Sequence, residues 1–188
     1  MPLPQRTSHD GEVMRNAAFI AFGLFLVLVQ SNLYPLLAPL GINGATPSLL
    51  LPLVIFLGVH EPSMARGALL ASALGYMMDL FGSAPIGLFA FVYTAAWWLS
   101  RVVGIRLTAQ AMLTKFALAF LFTLVESTLI LILLAVFGSD PQRPLEVSRI
   151  IVAHATSTGL CAIFVFRIAE RLHQGTLVAQ HSTEGAKA

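Results

Sequence analysis

Charged side chains are scarce in this sequence: they make up 11% of its 188 residues, against 57% that are hydrophobic. A soluble domain carries about 25% charged and 45–50% apolar residues, so a water-facing surface is excluded for most of the chain. Cysteine is nearly absent. The single Cys161 rules out an intramolecular disulfide and argues against a structural metal cluster. No Gly-x-Ser-x-Gly elbow, His-Glu-x-x-His pair or phosphate-binding glycine run is present, and no spacing ties Ser, His and Asp into a triad. Basic residues are too few and too scattered, at a net charge of +2, to suggest a nucleic-acid surface. Long polar loops are missing as well. The longest outer connection, GSDPQRPLEVS, has about eleven residues, too few for a soluble catalytic domain.

What is present is apolar sequence, with a mean hydropathy of +0.82. Six apolar segments cover about 17–37, 46–60, 66–82, 85–103, 111–137 and 147–168. A helix needs about 20 residues to cross a hydrocarbon core of about 30 Å, so the expectation is an all-α integral membrane protein, a bundle of six transmembrane helices filling 17–168. The polar residues 1–16 read as an N-terminal tail, with no signal-peptide cleavage pattern after the first apolar run. Residues 169–188, polar and aperiodic, read as a disordered C-terminal tail. Trp97, Trp98 and Arg101 close the fourth segment as an interfacial aromatic pair with a basic stop.

The second segment, TPSLLLPLVIFLGVH, is short: about 15 residues of helix reach about 22 Å. It reads either as a thin, kinked span or as a re-entrant piece, and charge distribution separates the two. With six spans and the N-terminus inside, Arg6, Arg15, Arg66, Arg101, Arg106, Lys115, Arg167, Arg171 and Lys187 fall inside, and only Arg143 and Arg149 outside. A re-entrant second segment reverses every later loop and leaves four inside and seven outside. The positive-inside rule favours six spans with both termini in the cytoplasm.

Ionisable residues within such spans are candidate functional groups. Glu126 lies near the middle of the fifth segment, in FTLVESTL, and His154 in the outer half of the sixth. For Glu126 three readings stand: a carboxyl hydrogen-bonded inside the bundle near Thr123 or Ser127, a proton-coupled group, or a partner contact. His154 reads as a histidine bonded across helices. Gln30 and Asn32 read as interhelical glue or as residues at the outer headgroups.

The most informative stretch is GYMMDLFGSAPIGL, residues 75–88. Upstream of Asp79, Gly67, Ala71 and Gly75 recur every four residues, which forms a helical face that another helix can approach closely. Gly82 suits a helix C-terminus, Ser83 an N-cap and Pro85 the first turn of the next helix, so spans three and four form a tight hairpin. Asp79 closes its own helix, where the dipole is unfavourable, and the free N–H groups opening the next helix are available to it. It either staples the hairpin or, with the small-residue face, receives a helix from another protein.

The run Gly75, Asp79, Gly82, Pro85, Ile86, Gly87 resembles the signature of the MreD family of rod shape-determining membrane proteins. Chain length, six spans and the prolines at Pro47 and Pro52 are similar to that family over about 15–170. The resemblance implies a non-enzymatic subunit of the bacterial inner membrane, part of the cell-elongation complex that organises peptidoglycan synthesis. It implies MreC as partner and, through it, MreB, RodA and its partner transpeptidase, with no cofactor and no metal. The implied motif residues are Gly75, Asp79, Gly82, Pro85 and Gly87. The family is similar in fold to the substrate-binding subunits of energy-coupling-factor vitamin transporters, and such a subunit is the alternative reading. An Ala17–Ala21 pair in the first span fits an A-x-x-x-A pattern of those subunits.

Overall fold

In the computed structural model the described residues are 6–37, 46–81, 85–104, 112–137 and 144–185. They form six helices: α1 (Arg6–Leu37), α2 (Leu50–His60), α3 (Met64–Phe81), α4 (Leu88–Gly104), α5 (Met112–Phe137) and α6 (Pro144–Gly185). No strand occurs among them. Two stretches, Leu113–Leu133 and Ile150–Gly175, are long and apolar enough to cross a membrane, and Ala17–Leu33, Leu50–His60 and Leu88–Val103 are shorter apolar helices. Large apolar side chains stand exposed on α1, α3, α4, α5 and α6, among them Phe25, Leu69, Phe91, Leu121 and Phe164.

The core is built around α2. Every residue from Leu50 to Gly58 is buried, as expected of a helix that is apolar on all sides. Pro52 is its third residue, where the N–H would have no intrahelical acceptor, so the ring is tolerated. Glu61 ends the helix in an extended conformation, φ −84 and ψ 116, the conformation that Pro62 imposes on the residue before it. Ser63 then caps α3: its hydroxyl accepts from the Arg66 N–H at 3.4 Å and its carbonyl from Gly67 at 3.0 Å.

The α3 residues turned inward are Gly67, Leu70, Ala71, Leu74, Gly75 and Asp79, a stripe at three- and four-residue spacing. α4 lies on that stripe. A Cβ added to Gly75 would stand 2.5 Å from the Phe89 carbonyl oxygen and 2.6 Å from Ala90 Cα, and one on Gly67 would meet the Trp97 ring at 2.6 Å. The small-residue face therefore receives a helix of its own chain. Of the two readings the sequence leaves open, a hairpin or a helix from another protein, the packing seen at this face is that of the hairpin.

Two expectations need correction. Residues 169–185, part of the tail read as disordered, lie in α6, which runs on to Gly185. Once a helix is nucleated, each added residue gains a backbone bond, and no proline follows Pro144 to stop it. Trp97 and Trp98 are not an interfacial pair either: Trp98 is 56% exposed but Trp97 only 3%, because Trp97 packs over Gly67.

Candidate functional site: a capped hairpin and a buried polar centre

The α3–α4 hairpin is held by one carboxylate. Asp79 Oδ2 accepts from the N–H of Gly87 at 2.9 Å and of Ala90 at 3.2 Å, and Oδ1 accepts from Phe89 at 2.9 Å. Leu88 donates to the Pro85 carbonyl at 3.1 Å, and Phe91 to the Gly87 carbonyl at 3.0 Å. Every N–H from Gly87 to Phe91 thus has an acceptor, a full account of the donors that a helix start leaves over. Asp79 is 3% exposed, and its charge faces the favourable end of the α4 dipole. Gly87 sits at φ 97, which a side chain rarely adopts.

Details of the expected turn change. Pro85 lies in the turn before α4, not in the helix, because the helix begins only at Leu88. The cap is the side chain of Asp79, from the preceding helix. Gly82 and Ser83 lie outside the described residues.

A second polar group sits among α1, α4, α5 and α6, around the non-helical residues 46–49 that lead into α2. The N–H of Ser48 donates to Thr158 Oγ1 and that of Leu49 to Gln30 Oε1, both at 2.9 Å. His154 Nδ1 is 2.5 Å from the Thr46 carbonyl oxygen. His154 and Thr158 are four residues apart and so share a face of α6. Three helix side chains therefore satisfy the backbone of a stretch that has no helical bonds of its own. Buried non-helical backbone needs such partners, most of all in a bilayer.

Glu126 faces the same centre and is 3% exposed. Its Oε1 is 3.4 Å from Ser48 Oγ, and Ser48 Oγ is 3.4 Å from the Tyr93 hydroxyl. The neighbours expected from sequence were Thr123 and Ser127. Thr123 instead donates to the Ala119 carbonyl of its own helix at 2.8 Å, as threonines in helices commonly do. Gln30 bridges α1 to residue 49, whereas Asn32 is exposed and bonds the Leu28 carbonyl of its own helix at 2.7 Å. Ala17 and Ala21 are both exposed.

Ser48, Tyr93 and Thr158 were not singled out from the sequence. Short hydroxyl side chains in apolar runs carry no sequence signal of their own. The available clue was the proline-flanked Ser48, where a chain forced out of helix has backbone groups to satisfy.

At the other end of α2, Arg101 donates from Nη1 to the Glu61 carbonyl at 2.6 Å and from Nη2 to the Pro62 carbonyl at 2.8 Å. Its guanidinium carbon lies 5.8 Å from the Trp97 ring centroid, within cation–π range. The residue read as a stop signal is a clamp on the α2–α3 turn. Glu61 also pairs with Arg66 at 3.6 Å, and Lys115 with Glu170. Among the described residues no three His, Cys, Asp or Glu side chains are grouped to hold a metal ion.

The chain was compared with protein-family models, with curated proteins and with solved structures, and none of the three yielded a match.

Proposed function

We propose that the chain is a six-span inner-membrane protein of the MreD type, a non-enzymatic adaptor of the bacterial elongation complex with both termini in the cytoplasm. The observation that carries this reading is the hairpin. Gly75, Asp79, Pro85 and Gly87, the described part of the family signature, form one structural unit in which the glycine admits a backbone and the aspartate caps a helix. These are roles in architecture, and they involve no chemistry.

The short second segment is compatible with six spans. The eleven residues of α2 rise about 16 Å, and the non-helical residues 46–49 precede it. The polar side chains around 46–49 supply the partners such a broken span requires.

On this reading MreC binds in the membrane, on a face other than the α3 stripe that α4 occupies. The outward side of the hairpin, with Leu69, Tyr76, Leu80 and Phe91 exposed, is compatible with lipid or a helix.

The test is co-purification in mild detergent with tagged MreC, combined with depletion in a rod-shaped host. MreC should be retained and depleted cells should round and widen. Rods of unchanged width, or a vitamin-sized ligand bound in place of MreC, would overturn the assignment and favour the transporter subunit.

A further inference from the structure

The polar centre contains one atom that the backbone of 46–49 does not explain. Glu126 Oε2 is buried and has no hydrogen-bond partner. The contacts of Oε1 and of the Tyr93 hydroxyl with Ser48 Oγ, both 3.4 Å, are longer than the usual 2.5–3.0 Å of an O–H···O bond. Among the described residues the packed elements bring only neutral or committed groups. α4 brings Tyr93, the lead-in segment brings Ser48, and α1 brings Gln30, bonded to Leu49. α6 brings Thr158 and His154, bonded to Ser48 and Thr46. The described ion pairs, Arg66 with Glu61 and Lys115 with Glu170, lie elsewhere. An isolated ionised carboxylate in an apolar interior is prohibitively costly. Among the described residues, therefore, no cation of the chain stands at the centre to balance an ionised Glu126.

We propose that Glu126 anchors a site for a single monovalent cation, a proton or a sodium ion, whose occupancy holds residues 46–49 against α4 and α5. A proton on the carboxyl makes it both donor and acceptor, and the Ser48 and Tyr93 hydroxyls extend it into a chain of O–H···O bonds. A sodium ion would instead be met by the carboxylate oxygens and the two hydroxyls. Either occupant neutralises the centre. Its loss leaves an anion beside Ser48, the residue whose N–H and hydroxyl tie the lead-in segment to α6, α4 and α5. Ion occupancy is thereby coupled to the non-helical stretch on which α2 hangs. This inference stands independently of the proposed cellular role.

The experiment is thermal unfolding of the full chain in detergent from about pH 5 to 9, in sodium chloride or in choline chloride. A proton held by folded Glu126 is released on unfolding, where a glutamate titrates near 4.3. Wild-type stability in choline then falls as pH rises, by up to about tenfold in the folding equilibrium constant per pH unit. Glu126→Gln, neutral at every pH, lacks that component, and the difference between the two proteins removes the contribution of His154. Sodium that restores wild-type stability at high pH, and does nothing to the variant, identifies sodium as occupant. A pH-dependent difference insensitive to sodium identifies the proton. Identical pH and sodium profiles for wild type and Glu126→Gln overturn the proposal. If Glu126→Gln does not fold, Tyr93→Phe serves instead: it should move the wild-type profile, and an unmoved profile overturns the proposal equally.

Discussion

Replacing Asp79 by leucine removes the acceptor for three backbone N–H groups, those of Gly87, Phe89 and Ala90. A hydrogen bond to a charged group contributes about 1.5–3 kcal/mol, and an exposed N-cap about 0.5–2 kcal/mol. The three bonds share one carboxylate and the N–H groups are only partly buried, so their sum overstates the loss. A cost of about 3–5 kcal/mol is expected, from about 1–3 kcal/mol for each donor left unsatisfied, reduced for their partial exposure. That is roughly 100- to 4,000-fold in the folding constant. Asp79→Asn keeps one acceptor oxygen, but its NH2 group faces N–H donors, so a loss of about 1–2 kcal/mol is expected. Equilibrium unfolding in mixed micelles, followed by the fluorescence of Trp97 and Trp98 on α4, reads both variants. An Asp79→Leu protein as stable as wild type would refute the capping argument. So would an asparagine variant as damaged as the leucine one, since the argument depends on a retained acceptor.

The packing and the polar centre make further predictions. Gly75→Ala places a methyl 2.5 Å from the Phe89 carbonyl oxygen, and because backbone cannot rotate away, a loss of about 1–3 kcal/mol is expected in the same unfolding assay. Gly75→Ala at wild-type stability would mean that the helices do not approach this closely. Thr158→Val keeps the shape but leaves the Ser48 N–H without its acceptor, which should cost about 1–3 kcal/mol and speed amide exchange at Ser48. Unchanged exchange there would refute its pinning by α6.

How much of this was legible in the sequence differs between the two sites. The hairpin could be read because its parts are local: Gly75, Asp79 and Gly87 lie within thirteen residues, and helix geometry relates them. The polar centre could not, because Gln30, Ser48, Tyr93, Glu126, His154 and Thr158 come from five separate segments. Periodicity places each on its own helix and says nothing about which helices meet. Glu126 was recognised as a costly residue, but its partners were sought one turn away on α5, whereas they come from the lead-in segment and α4.

The sequence alone determined that the chain is helical and apolar, roughly where its helices lie, and that Asp79 stands at the end of one helix beside the start of the next. Those properties follow from composition, from helical periodicity and from the conformational preferences of glycine and proline, all of which act over a few residues. Only the tertiary structure decided that α4 occupies the small-residue face of α3, that Trp97 is buried while Trp98 is not, and that Arg101 clamps a turn. It also decided that the non-helical lead-in to α2 runs through the interior on side chains from two helices, α1 and α6. Those outcomes depend on which surfaces come together once the chain is packed, where most buried polar groups find a partner irrespective of its distance along the sequence.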